Sequence, residues 1–318
     1  MSEKIHLQAN IPEINTKKRL DVVLAELFPE YSRSRIQQWI KQGNVMVAGT
    51  ICKKPRAQYQ VGDEVIVNAE IEAAGDWQPQ DLDINIVYED EQLIVVNKQA
   101  GLVVHPGVGN RDKTLVNGLL HLYPELEALP RAGIVHRLDK DTTGLLVVAR
   151  NLASHNHLVS QLQERAFSRE YQALTEGKMI VGGTVNQPLG RHPTQRVRMA
   201  VVASGKEAIT HYRVEKTFRG HSLLSVKLET GRTHQIRVHM SFLGYPLTGD
   251  QLYRGRLKMP AGATEEMLEA LRYFRRQALH AKKLGLTHPG SGEWIEWEAE
   301  LPDDLQNLLT IMENDAQQ

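Results

Sequence analysis

The chain has 318 residues, 41% of them apolar and 24% charged, with Cys52 as its one cysteine. That is enough Leu, Val and Ile for a core, so a wholly disordered chain is excluded. No stretch nears the ~18 apolar residues of a membrane span, and a lone cysteine makes neither an internal disulfide nor a cysteine-rich zinc site.

The formal net charge is zero, but the charges are segregated along the chain. Residues 17–62 hold nine Lys/Arg and three Asp/Glu, and residues 98–283 hold 28 and 15. Residues 63–97 hold ten acidic residues and no basic one, and residues 284–318 hold eight and none. Two basic blocks set between acidic ones suit a polyanionic partner better than a uniformly solvated surface. The N-terminal run MSEKIHLQAN lacks the apolar region of a secretory signal, so the expected location is the cytoplasm, with no membrane partner.

Leu20, Val23, Leu24 and Leu27 fall at i, i+3, i+4 and i+7 and predict a helix ended by Pro29. Ser32 is placed to cap a second helix with Ile36, Trp39 and Ile40 inward. Arg33, Arg35 and Lys41 then lie on or near its outer face, and Gly43 stands at its end. Val45–Val47 and Ile51 read as a short hairpin, Val61-Gly62-Asp63 as a turn, and Glu64–Val67 as a closing strand. An acidic stretch without periodicity follows over 71–83 and reads as a linker free to swing. The domain boundaries this suggests are 17–75 for a small first module, 76–83 for the linker and 84–318 for one large domain.

In the large domain, Ile84–Tyr88 and Leu93–Asn97 flank a turn and predict a hairpin. Thr114–Leu122 reads as a helix, Gly144–Ala149 as a buried strand, and Leu152, His155, Leu158, Val159 and Leu162 trace one helix face. Strands are expected over 170–174, 209–215, 223–228, 279–286 and 294–299. Strands outnumber helices and do not alternate with them, which predicts an α+β domain with a large, mixed, mainly antiparallel sheet.

Two polar clusters could carry chemistry. Gly133–Gly144 reads as a loop between core elements, with Asp139 and Asp141 beside Arg137 and Lys140. Glu229–Met240 reads as a strand end turning into a helix that Thr230 or Thr233 could cap, with Arg237 one turn in. Arg169-Glu170-Tyr171 opens a strand. A kinase-type loop is excluded, because Leu138 separates His136-Arg137 from Asp139 and no Gly-rich phosphate loop precedes it. The pairs His155/His157 and His234/His239 lack the spacing that puts two metal ligands on one helix face. Two readings of Asp139 stay open on local sequence. It is a structural cap of the Thr142-Thr143 turn, or a lone carboxylate that works on a sugar or base beside an arginine.

The ordered motifs add a resemblance. Arg19-Leu20-Asp21, Tyr31-Ser32-Arg33-Ser34-Arg35, Gly43-Asn44-Val45 and Val61-Gly62-Asp63 resemble the ribosomal-protein-S-four-type (alpha-L) RNA-binding module. Asn97-Lys98, Gly101-Leu102-Val103-Val104-His105-Pro106, His136-Arg137-Leu138-Asp139, Thr143-Gly144-Leu145-Leu146, Arg169-Glu170-Tyr171 and the run Gly231 to His239 resemble pseudouridine synthases of the RluA type over about residues 84–300. Within that type they resemble a branch acting on the large ribosomal subunit. Gln99 departs from the usual Pro after Asn-Lys, and Thr143 keeps the hydroxyl of the more common Ser.

The resemblance implies isomerisation of uridine to pseudouridine in large-subunit ribosomal RNA, in the helix 69 stem-loop, after the base is flipped out. No redox change occurs, so no cofactor and no nucleotide is expected. Asp139 is implied as the catalytic carboxylate, Arg237 as the partner that keeps it ionised, and Tyr171 as the aromatic that stacks on the base and relays a proton. Arg137 is implied to fill the vacated space. His136, Leu279, Arg232 and Lys140 are the other expected substrate contacts, and Arg19, Arg33, Arg35 and Lys41 the expected contacts of the first module. Nothing in the sequence demands an oligomer, so a monomer is expected. A non-catalytic ribosome-assembly factor would carry the same charge blocks, whereas a glycosidase on free sugars would lack a second carboxylate and leave them unexplained.

Overall fold

The computed structural model describes residues 3–13, 18–29, 31, 33–71, 77–107, 109–195 and 197–317, and divides into two units, Met1–Asp76 and Trp77–Gln318. Ser32, expected to cap a helix, lies outside the described residues, as do 72–76 of the expected linker. Among the described residues no helix is long and apolar enough to cross a membrane.

The first unit begins with a strand, β1 (Glu3–Asn10), that the sequence reading did not expect. Its alternation turns Ile5, Leu7 and Ala9 toward the core of the unit. Two helices follow, α1 (Leu20–Leu27) and α2 (Arg33–Gln42), then β2 (Val45–Val47), β3 (Thr50–Cys52) and β4 (Glu64–Ile71). The sheet runs β1-β4-β2-β3 and is antiparallel throughout. Leu20, Val23 and Leu24 of α1 and Ile36, Trp39 and Ile40 of α2 are buried with Val45, Val65 and Val67 of the sheet. After α2, the Asn44 N–H reaches the Trp39 carbonyl at 3.0 Å and the Gly43 N–H the Ile40 carbonyl at 3.1 Å. This pattern needs the left-handed φ of +84° that Gly43 adopts.

In the second unit, Trp77 packs on the core. The Gln78 carbonyl accepts from Asn117 Nδ2 at 2.8 Å, and the Gln80 N–H donates to the Asn117 carbonyl at 2.9 Å. In the segment 77–83, expected as part of a swinging linker, Gln78 and Gln80 are tied to the helix that carries Asn117 through these backbone bonds. The unit contains β5 (Ile86–Glu89), β6 (Leu93–Lys98), α3 (Leu115–Leu122), β7 (Thr143–Ala149), α4 (Leu152–Gln163), β8 (Ser168–Glu176) and β9 (Gly183–Asn186). It continues with β10 (Leu189–Arg191), β11 (Met199–Val201), β12 (Ile209–Thr217), β13 (His221–Leu228), α5 (Gln235–Phe242), α6 (Glu265–Tyr273), β14 (Leu279–Thr287), β15 (Trp294–Glu298) and α7 (Asp303–Ala316).

Nine of these strands form one sheet in the order β5-β6-β7-β14-β8-β13-β12-β9, with β15 also on β14; β10 and β11 form a separate ribbon. Only β7 and β14 pair in parallel, so the sheet is mixed and mainly antiparallel as expected. Strand β7 is buried at all seven positions. One face, with Ile94, Val96, Leu146, Tyr171, Val226 and Leu279, packs on α3 and α5. The other packs Leu93, Val95, Leu145 and Val147 on α4, and Leu174 and Leu223 on α6 and α7. Gly144, Ala281, Tyr171 and Val226 lie side by side across the middle of the sheet. A Cβ on Gly144 would sit 2.3 Å from the Ala281 carbonyl oxygen, so glycine is what lets β7 and β14 close there.

Candidate active site

The loop between the 3-10 turn Pro130–Gly133 and β7 is pinned at alternate residues. His136 Nε2 accepts the Val147 N–H at 3.1 Å, and Leu138 is buried. The Lys140 carbonyl accepts from Lys98 Nζ at 2.9 Å, and Thr142 Oγ1 accepts from Gln277 Nε2 at 3.1 Å. Lys98 is fully buried and also donates to the carbonyls of Gln99 and Leu102. Burial pushes its ammonium down to about 7, while Asp141 and Asp139 pull it back. Three carbonyl acceptors match the three donors of an ammonium. With the even-numbered residues anchored, Arg137 and Asp139 line the cavity beside His136, Leu138 and Thr142.

Helix α5 supplies the partner. Its first residue, Gln235, closes the preceding turn: Oε1 accepts from the Arg232 N–H at 3.0 Å and from Thr230 Oγ1 at 2.8 Å, and Nε2 donates to the Ile209 carbonyl at 3.0 Å. The expected cap at Thr230 or Thr233 is therefore replaced by a glutamine, and the N-cap residue is His234, with a left-handed φ of +57°. One turn in, Arg237 donates from Nη1 to Asp139 Oδ2 at 2.9 Å. Its other edge holds Asp250 in a two-bond fork, Nε to Oδ2 at 2.7 Å and Nη2 to Oδ1 at 3.0 Å. Burial works against the charge on Arg237, but Asp250 and Asp139 prevail and hold the guanidinium above its ordinary value. The Asp139 carboxylate thus goes to Arg237, and only its backbone carbonyl, accepting the Thr142 N–H at 3.1 Å, serves the turn.

These groups line a cavity of about 920 Å³ with Tyr171, Leu279, His136, Arg137 and Arg232, at the upper end of the range for small-molecule sites. Six arginines line it (131, 137, 165, 169, 232 and 237) against two carboxylates, Asp139 and Glu229. The field inside therefore favours an anionic ligand. Burial pushes the Tyr171 phenol up, with Arg169 opposing and Asp139 adding. His136 is pushed down to about 3 by burial, with Arg169 adding. It is a neutral acceptor for the backbone of β7, so its ring is a wall of the cavity. Arg169 is buried and donates to the Glu229 carbonyl at 3.2 Å. Its Nη1 lies 2.7 Å from where a Cβ on Gly231 would be, so any side chain there would displace it. Arg232 donates Nε–H to the Glu207 carbonyl at 2.9 Å.

Lys140 does not line the cavity; among the described residues only its carbonyl is engaged, and the residue is exposed. Asp250, which fixes Arg237, was missed by the sequence reading: it lies 13 residues beyond its partner, outside any local pattern. Among the described residues no three His, Cys, Asp or Glu side chains group as a metal-binding set. In the first unit, Arg19 and Arg33 both pair with Asp21, at 2.8 and 2.9 Å. Arg35 is half-buried and Lys41 exposed.

A sequence model of the RNA pseudouridylate synthase family matches residues 92–242, and one of the S4 domain matches residues 18–65. Ribosomal large subunit pseudouridine synthase D of Escherichia coli (strain K12) is 51% identical over 318 residues, 100% of this chain and 98% of that protein. The protein of the same name from Pseudomonas aeruginosa is 51% identical over 317 residues, 100% and 99% of the two. Among solved structures, Human RNA Pseudouridylate Synthase Domain Containing 4 aligns with a TM-score of 0.56 at 25% identity, covering 72% of this chain and 93% of its own. Human RNA Pseudouridylate Synthase Domain Containing 1 aligns with 0.54 at 27%, covering 70% and 85%. Identity at half of all positions over the full length, on a fold that solved relatives share, makes this chain a pseudouridine synthase of the RNA pseudouridylate synthase family, with an S4 domain at its N-terminal end.

Proposed function

We propose that the protein converts uridine to pseudouridine in large-subunit ribosomal RNA, in the stem-loop of helix 69, with Asp139 as the reacting carboxylate. The observation that carries this reading is the Asp139–Arg237 pair in a cavity lined by six arginines. In the reaction the N1–C1′ bond breaks, the uracil turns and a C5–C1′ bond forms. The proton on C5 leaves and N1 gains one, so the product is an isomer and no oxidant or nucleotide is consumed. Asp139 Oδ2 is held by Arg237, whereas Oδ1 accepts no hydrogen bond among the described residues and lies 3.8 Å from His234 Nε2. That oxygen can meet the ribose, as a carboxylate does in sugar chemistry.

Tyr171 stacks on the base and relays the proton, and Leu279 and His136 form walls around it. Arg137, exposed and making no hydrogen bond or ion pair among the described residues, enters the space that the flipped nucleotide leaves. Flipping from a loop costs a few kcal/mol or less. Arg232, and Lys140 outside the cavity, take phosphates. Arg19, Arg33, Arg35 and Lys41 hold neighbouring RNA. Every residue of the reacting site comes from one chain, so a monomer suffices, and the place of action is the cytoplasm. RNA affinity falls steeply as salt rises, because Lys and Arg contacts release counterions.

The test is Asp139→Asn on RNA carrying 5-tritiated uridine. Tritium release is expected to vanish while RNA affinity stays nearly unchanged. Full release by the variant would remove Asp139 from the chemistry. Tight binding without release by the natural protein would favour an assembly factor instead.

A further inference from the structure

Tyr253 joins the cavity to a part of the chain outside it. It follows Asp250, whose Oδ1 accepts the N–H groups of Leu252 and Tyr253 at 2.9 and 3.1 Å. Its hydroxyl accepts the Met199 N–H of β11 at 2.9 Å and lies 2.8 Å from His234 Nδ1. A hydroxyl that accepts from the backbone still has its own proton to donate, and we assign Nδ1 as its acceptor. The imidazole proton then sits on Nε2, the atom 3.8 Å from Asp139 Oδ1. Burial pushes His234 down, which favours this neutral ring. The tyrosine ring carries two guanidiniums, with Arg237 Cζ 5.0 Å and Arg198 Cζ 5.3 Å from its centroid. Arg198, beside β11, also donates to the Leu252 carbonyl. The two groups that flank Asp139 are therefore both in contact with Tyr253. His234 holds a left-handed backbone that a non-glycine residue keeps only when its surroundings enforce it.

We propose that Tyr253 is a positioning residue for the reacting carboxylate: its ring fixes Arg237 and its hydroxyl fixes His234 on the two sides of Asp139, both referred to the β10–β11 ribbon. The proposal rests on the reading of Asp139 as the reacting group. It makes the placement of Asp139 depend on the ribbon, and a groove lined by Gln195, Val197, Arg198, Gln251, Leu252 and Gly255 borders the same contact.

Tyr253→Phe keeps the ring with both guanidiniums and removes the hydroxyl. The single-turnover rate at saturating RNA is expected to fall about tenfold, with RNA affinity unchanged and the thermal midpoint lowered only as far as the lost acceptor of the Met199 N–H requires. In nitrogen-15 spectra of histidine-labelled protein, the His234 signals should move from one tautomer toward a mixture, a change that a fold-holding role would not produce. Tyr253→Leu, which also removes the ring, should lose about a further tenfold. A natural rate in Tyr253→Phe overturns the proposal, and so does a loss of rate matched by an equal loss of RNA affinity or accompanied by unfolding at the assay temperature. If Asp139→Asn is fully active, the reading of Asp139 fails instead, so the two failures are told apart.

Discussion

In the first unit Asp21 stands in the middle of its charge cluster, and in the second Arg237 stands in the middle of its own. Asp21 is completely buried. Its Oδ1 accepts from Arg19 Nε, and its Oδ2 accepts from Arg19 Nη2, Arg33 Nε and Gln37 Nε2. Four donors leave that carboxylate no room for a fifth partner. Around Arg237 the order is reversed. The inner aspartate, Asp250, is buried and saturated, and the outer one, Asp139, has one oxygen held and keeps 16% of its side chain exposed. A carboxylate at the centre of guanidiniums is a fastener, and a carboxylate at the end of a chain of charges is available to a substrate. On the proposed reading of Asp139, the same residue types thus serve structure or chemistry according to which of them is enclosed.

Exchanging one aspartate in each centre for asparagine sharpens this contrast most. Asp139→Asn should cost the reaction at least about 10⁴-fold and leave the melting behaviour close to natural, because Arg237 keeps its fork on Asp250. Asp21→Asn should do the opposite, with an unchanged rate at saturating RNA and a lower denaturation midpoint for the first unit. Equal rates in the two variants would break the comparison. Asp250→Ala comes next. It strips a buried guanidinium of its two-bond partner and should destabilise the second unit by about 3–5 kcal/mol, read by chemical denaturation. The rate should drop as well, since Arg237 is then free to turn both edges to Asp139. A smaller loss, about 1–3 kcal/mol, is expected for Asp21→Ala. Arg19 and Arg33 are 38% and 48% exposed and can turn to water once their acceptor is gone.

The two centres were unequally legible in the sequence. Helices α1 and α2 follow from apolar stripes that bury Leu20, Val23, Leu24 and Ile36, Trp39, Ile40. Motif order singled out Arg237 and Asp139, 98 residues apart. Neither Asp21 nor Asp250 was marked as a partner: Asp250 meets a buried guanidinium by tertiary approach, and Asp21 gathers Arg33 and Gln37 from the following helix, so neither leaves a periodic trace. Other omissions did carry a signal. Leu305, Leu308, Leu309 and Met312 form the buried stripe of α7 inside an acidic tail whose charge drew the attention. Ile5, Leu7 and Ala9 alternate as a half-buried strand should. Strands β10 and β11 are three residues each, too short for a period to register. Residues 77–83 look solvated by composition, yet hydrogen bonds to Asn117 hold the backbone at Gln78 and Gln80.

The smallest expected effect is a pH dependence confined to the first unit. Burial pushes the Asp21 carboxyl up, but the hydrogen bonds from Arg19, Gln37 and Arg33 prevail, and its value in the folded unit lies below the ordinary 3.8. A carboxyl with a depressed folded value stabilises the fold fully above its unfolded value, and the gain is lost as pH falls through the folded one. The first unit should therefore keep its stability from neutral pH down to about 4, by the ordinary aspartate value, and lose part of it below. Hydrogen exchange followed by mass spectrometry separates the two units, with α1 and α2 reporting for the first. Exchange in these helices should quicken below that point in the natural protein. In Asp21→Asn it should already be faster at neutral pH and change less on acidification. An equal acid response with and without the carboxyl would place the acid-sensitive group elsewhere and leave Asp21 a fastener by packing alone.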